Sequence, residues 1–150
     1  MEIRPITPAE ARIVRLPVLR PGMSPEAAVF DHDDDPATRH FGAFEGGKLV
    51  GVATFFPEPC PVRPRQRAWR LRGMATFPEM QGRGGGSRLV EEGLRVARAD
   101  NAELMWCNAR VSARGFYERL GFATFGDEFV LPVAGPHYVM IKDFRERSEP

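Results

Sequence analysis

Lysine is nearly missing from this chain of 150 residues: of 21 basic side chains, only Lys48 and Lys142 are lysines. The basic set is balanced by 20 acidic residues, for a net charge of +1. That balance gives no general reason to expect nucleic acid or an anionic membrane as partner. Arginine's planar fork suits phosphates, but heavy arginine use also follows genome composition and weighs little by itself. Cysteine is scarce too. Cys60 and Cys107 are too few for a disulfide framework and match no metal-ligand spacing. The three histidines, His32, His40 and His137, are scattered. No apolar run reaches the roughly 18 residues needed to span a bilayer. The N-terminal MEIRPITPAE has no apolar signal region. The expected protein is soluble and cytoplasmic, with reduced thiols, no bound metal, and no nucleic-acid or membrane partner.

What is present fits one domain over residues 1–150. The apolar share is 43%, and a chain of this length buries roughly 68–70% of its unfolded surface. Residues 2–6 read as a short strand. Thr7-Pro8-Ala9-Glu10 reads as a helix start, with Thr7 as N-cap, Pro8 at the first helical position and Glu10 three residues after the cap. Pro17 is expected to end or kink that helix. Ser24-Pro25-Glu26 offers a second, shorter start, and residues 31–36 (DHDDDP) read as a polar turn. Two apolar runs, 40–45 and 48–56, flank Gly46-Gly47, which signals a hairpin. The proline-rich stretch 57–64 is a loop that no ladder tolerates. A strand resumes at Ala68, with Trp69, Leu71, Gly73 and Ala75 on one face and Arg70, Arg72, Met74 and Thr76 on the other. Residues 87–100 carry Val90, Leu94 and Ala97 at the spacing of one buried helical face. Leu104–Cys107 reads as a buried strand ending at Asn108. Ser112 is placed to cap a helix through Leu120, closed by Gly121. Residues 122–130 and 137–144 are the last strand candidates. This order argues α/β with a mixed sheet.

Between the strand at Ala68 and the helix at Ser87 lies MQGRGGGSRL, residues 80–89, with four glycines in five positions. A glycine-rich turn there lets backbone N–H groups converge on one point, and the helix start adds unsatisfied donors and a positive dipole end. The product is an anion site, usually for phosphate. Arg83 and Arg88 stand at its mouth. A nucleotide P-loop requires a lysine after the last glycine, and here Ser87-Arg88 follow. A dinucleotide fingerprint requires a third glycine where Ser87 stands, and an acidic residue where the next strand ends at Asn108.

Gln81-Gly82-Arg83-Gly84-Gly85-Gly86 resembles the Q/R-x-x-G-x-G/A pyrophosphate loop of the GNAT superfamily of acetyl-CoA-dependent N-acetyltransferases. Residues 71–80 resemble the strand and turn that precede it, Pro78 included. Asn108, followed by Ala113, Phe116-Tyr117 and Gly121-Phe122, resembles the family's N-x(4)-A-x-x-F-Y-x-x-x-G-F segment. The likeness is strong over residues 69–144 and weaker over 1–68. It implies a mixed, mostly antiparallel sheet, splayed at a central parallel strand pair, with helices on both faces. It implies acetyl transfer from acetyl-CoA to a primary amine of a small molecule or peptide, and it allows a homodimer. The backbone of Met74, Ala75 and Thr76 would pair with the pantetheine arm, and Gln81, Gly82, Arg83, Gly84, Gly85, Gly86 and Ser87 would hold the pyrophosphate. Asn108 would contact the cofactor arm, and Tyr117 would sit by the thioester sulfur as general acid. Neither cysteine is needed as nucleophile, and Cys107 is expected in the core.

One departure is plain. Some relatives carry a glutamate base on the strand entering the loop, where this chain shows Arg70 and Arg72. Glu45, Glu79, an aspartate of 31–35, His40 or a water chain are the other candidates, or the amine binds already deprotonated. The two arginines suit an acceptor bearing a carboxylate, or they pair with nearby acids. The alternative activity is a non-catalytic acyl-CoA sensor of the same fold. Asp31–Asp35 reads as a solvated loop rather than a metal site.

Overall fold

A computed structural model describes residues 1–145 of the chain. β1 (Glu2–Pro5) leads into α1 (Pro8–Leu19), whose start closes as a reciprocal capping box. Thr7 Oγ1 accepts the Glu10 N–H at 3.1 Å, and Glu10 Oε1 accepts the Thr7 N–H at 3.0 Å. Pro17 does not end this helix, which continues to Leu19 and closes with Arg20 N–H donating to Leu16 O. Proline removes only the bond to the Ile13 carbonyl. Ile13 is 60% exposed, so this side of α1 meets solvent. A single 3₁₀ turn follows at Pro25–Ala28.

β2 (Arg39–Glu45) and β3 (Lys48–Pro57) form the expected hairpin. Gly46 and Gly47 turn it at φ +56° and +81°, the paired positive values that a two-residue hairpin turn demands. β4 (Ala68–Thr76) follows the proline-rich loop, and α2 (Gly85–Ala99) follows the glycine loop. β5 (Leu104–Arg110), α3 (Arg114–Arg119), β6 (Ala123–Leu131) and β7 (Gly135–Asp143) follow, with short 3₁₀ turns at Pro78–Met80 and Val111–Ala113. Among the described residues, seven strands hydrogen-bond in the order β1-β2-β3-β4-β5-β7-β6. The sheet is mostly antiparallel. β4 and β5 pair in parallel, in register over Ala68↔Leu104, Trp69↔Met105 and Arg70↔Trp106.

The chain forms two compact units, and β4 passes from one to the other after Arg70. The first comprises Met1–Phe56 and Leu71–Val96. In its core, Val14 of α1, Val52 of β3 and Ala75 of β4 pack with Ile6, Val18, Leu49 and Phe77. Gly93 brings α2 down onto β3: a Cβ there would lie 2.1 Å from the Phe55 ring.

The second unit comprises Pro57–Arg70 and, of the described residues, 97–145. β5 is buried on both faces, with Leu104, Met105, Trp106 and Cys107 all inside. Cys60 and Ala68 cover the Leu104/Trp106 side. The indole N–H of Trp106 donates to Glu58 O at 2.9 Å, tying the proline-rich loop to the strand.

Three boundaries differ from expectation. β5 runs past Asn108 to Arg110, because its ladder with β7 continues to Arg110↔His137. The later strand end displaces the following helix: Ser112 lies within a 3₁₀ turn, Val111–Ala113, and makes no side-chain cap for α3. α2 begins at Gly85, two residues before Ser87.

Candidate active site

The glycine loop is built by backbone conformation. Gly82 and Gly84 have φ of +81° and +85°, values costly to any side chain, and a Cβ at either would meet nothing within 4 Å. Open space and positive φ together mark glycines kept for their backbone. Gly84 immediately precedes α2, and its carbonyl accepts the Arg88 N–H at 3.1 Å. Gly85 is packed from behind instead, since a Cβ there would lie 2.9 Å from Met1 Sδ. The Gln81 amide donates to Thr76 O at 3.3 Å, joining the loop to the end of β4. Gln81, Gly82, Arg83 and Gly84 are exposed, and Gly86 and Ser87 are half-buried. Arg88 donates to the Met1 carbonyl, so it braces the N-terminus. Ala75 lies in the core and Met74 and Thr76 are half-buried. The Ala75 side chain therefore leaves only its backbone for a ligand.

In the second unit, Tyr117 is held by the way α3 ends. Gly121 has φ +93°. Its N–H donates to Glu118 O and the Phe122 N–H donates to Tyr117 O, both at 3.0 Å. This pair of bonds is a Schellman motif, which asks for glycine at one position and an apolar contact between the residue after it and the residue four before it. Tyr117 and Phe122 make that contact edge to face, with ring centroids 5.5 Å apart. The Y-x-x-x-G-F spacing thus has a local mechanical reason. Tyr117 is 5% exposed. Burial, with the nearby Cys107 thiol, raises its phenol well above the usual value, so it is protonated at neutral pH. Burial pushes Cys107 to about 12, leaving an inert core thiol. Asn108 is half-buried opposite Val139 of β7 and points to the face of β5 away from Cys107.

The candidate bases separate clearly. Glu45 and Glu79 are exposed. Asp33 is not part of a solvated loop: it is 4% exposed and takes a bidentate bond from Arg15, at 2.7 and 3.0 Å. Burial opposes its charge, but the Arg15 bonds and the Phe30 N–H outweigh that and hold it below the ordinary range. His40 is 6% exposed and uses both ring nitrogens. Its Nε2 can only donate to the Asp33 carbonyl, 2.9 Å away. Nδ1 then accepts from Thr54, whose hydroxyl in turn accepts from Arg15. Burial lowers the His40 pKa, in keeping with a neutral ring. Arg70 is taken by Glu58 at 3.0 Å and lies over the Trp106 ring. Arg72 stacks on Phe30, 4.4 Å from the ring centroid.

The network of Arg15, Asp33, Thr54 and His40 escaped the sequence reading. Its signal was an arginine at an inward position of α1, where Ala11, Val14, Arg15 and Val18 share one stripe.

Residues 11–122 match the sequence profile of the Acetyltransferase (GNAT) family. The chain belongs to the GNAT acetyltransferase family. The uncharacterized N-acetyltransferase YitI of Bacillus subtilis (strain 168) is 32% identical to this GNAT protein over 145 residues, 97% of each chain. Escherichia coli ElaA shares its fold with a TM-score of 0.76 at 15% identity, over 95% of this chain and 99% of that one. FeeM, an N-acyl amino acid synthase from uncultured soil microbes, gives 0.78 at 15% identity, over 97% and 91%. An aminoglycoside 6'-N-acetyltransferase complexed with coenzyme A gives 0.75 at 15% identity, over 99% and 100%. At such identities the structural likeness is one of fold. Among the described residues, no group of metal-ligating side chains occurs and no helix is long and apolar enough to cross a membrane.

Proposed function

We propose that this protein transfers an acetyl group from acetyl-CoA directly to a primary amine. The observation that carries the reading is the pair of positive-φ glycines, Gly82 and Gly84, set between β4 and α2 with empty space where side chains would be. Backbone N–H groups of Gly82 to Ser87 cradle the pyrophosphate, and the positive end of α2 favours its charge. The pantetheine arm adds to Met74–Thr76 as a further strand. Residues 1–150 act as one domain, since the family match runs through both compact units.

The amine nitrogen attacks the thioester carbonyl and forms a tetrahedral adduct. The carbon–sulfur bond then breaks and the thiolate leaves. Tyr117 donates its proton to that sulfur, and its phenolate is reprotonated by the proton the new amide sheds. A phenol kept protonated by burial suits this role, because a desolvated thiolate is also a stronger base. Asn108 contacts the arm of the cofactor. No enzyme side chain forms a bond to the acyl group, which agrees with a Cys107 thiol buried and held at about 12. The engaged states of Asp33 and His40 favour an acceptor that arrives as the free amine.

The test is thiol release from acetyl-CoA against a panel of small amines and peptides, with longer acyl-CoAs as competing donors. Tyr117→Phe should lose about 10²–10⁴ in turnover while keeping cofactor affinity. Unchanged turnover in Tyr117→Phe would remove the tyrosine from the mechanism. Binding without turnover for every amine would favour the sensor reading.

A further inference from the structure

β4 does not run straight. Gly73 stands inside it at φ +68°. At one end of the strand Glu58 N–H donates to Ala68 O, and at the other Phe77 N–H donates to Val50 O. Between those bonds β4 advances nine residues while β3 advances eight, so β4 carries one extra residue, a β-bulge. A Cβ at Gly73 would lie 2.9 Å from Arg15 Nε and 3.2 Å from the Phe30 ring.

The Arg15 side chain that backs this bulge is fully buried. One head-group nitrogen donates to Asp33 at 2.7 Å and to Ala28 O at 3.1 Å. The other donates to Asp33 at 3.0 Å and to Thr54 at 2.7 Å. Asp33 also accepts the Phe30 N–H, and its own carbonyl is held by His40. The remaining nitrogen, Nε, faces Gly73 and has no hydrogen-bond partner. A buried ion pair is weak evidence of stability, since apolar side chains fill such a space as well. What a two-pronged guanidinium–carboxylate bond supplies, and apolar packing does not, is a single orientation.

We propose that Arg15 and Asp33 are positioning residues: their buried pair fixes the Gly73 bulge and so aims the Met74 N–H, next along β4, at the acyl carbonyl of the bound thioester. This rests on the acetyl-CoA reading above. The pair touches no cofactor; it acts through Gly73. A rigid, correctly aimed donor is worth more than a mobile one, because it needs no reorganisation when charge develops on the oxygen.

The test removes both charges together, Arg15→Met with Asp33→Asn, which keeps an acceptor for the Phe30 N–H. Arg15→Lys is the second variant, keeping the charge but not the fork. In the free protein, the Gly73 and Met74 amide resonances should broaden and exchange faster with solvent in both variants, with the rest of β4 unchanged. With ¹³C-carbonyl acetyl-CoA, the wild type should lower the carbonyl stretching frequency on binding. Both variants should lose that shift at unchanged affinity. Gly73 and Met74 amides identical to wild type would overturn the proposal. So would a carbonyl shift that survives loss of the pair. If the wild type bound no acetyl-CoA, the acetyl-transfer reading would fall, and the amide resonances would still decide whether the pair fixes the bulge.

Discussion

Arg15 and Asp33 show how one buried charge constrains the rest of a site. Removing Asp33 leaves the fully buried Arg15 without a counter-charge in the core, which costs about 3–5 kcal/mol, whereas Asp33 without Arg15 still has Arg12 at 3.6 Å. Asp33→Asn alone should therefore lower the urea midpoint far more than the charge-free double variant does. Equal losses would mean that the pair is not coupled. The cysteines give a second test at this scale. Cys60 and Cys107 are both free and buried, and burial raises both thiols. Neither should react with a thiol reagent in the native protein, and both should react in denaturant. Fast native labelling of Cys107 would contradict the packing of β5.

Helix and strand boundaries follow from local chemistry where that chemistry is self-contained. The Thr7–Glu10 capping box, the Gly46-Gly47 hairpin and the Gly121 helix stop were all legible in sequence, because each is a rule about neighbours. Thr7→Ala should cost about 1 kcal/mol in thermal or urea unfolding. Gly93 is different: its need for a bare Cα comes from Phe55, a distant partner on β3. Gly93→Ala forces a side chain into that ring and should cost about 1–3 kcal/mol, read from the same urea curves. A neutral result would mean that α2 sits farther from β3. The misread features have the same origin. Pro17 stays within α1, β5 overruns Asn108, and Asp33 is buried, each because of a partner or exposure that spacing along the chain does not encode. The glycine loop and the Tyr117 segment were legible as motifs. The Arg15 network was not, since its members come from α1, β2, β3 and the turn between α1 and β2.

Across the whole molecule, the lowered groups share one sign. His40, Asp33 and Asp143 all have folded values below their ordinary ones: burial acts on His40, Arg15 on Asp33, and Arg145 holds Asp143 at about 2. In each case the unfolded chain takes up the proton first as pH falls. Their stabilisation is complete above the ordinary value and is lost on acidification, from 6.5 downward for His40 and from 3.8 downward for the two aspartates. The urea midpoint should fall between pH 7 and 5, and His40→Asn should flatten that limb. An unchanged slope in the variant would place the loss elsewhere.

What the glycine loop holds decides the function of this protein. Calorimetric titration with acetyl-CoA, with NAD and ATP as controls, asks this most directly. We expect acetyl-CoA to bind in the micromolar range and the two controls not to bind. Gly84→Val, which forbids φ near +85°, should abolish acetyl-CoA binding while leaving the fold intact. No binding of acetyl-CoA to the wild type, or equal binding of ATP, would contradict the assignment of residues 81–87.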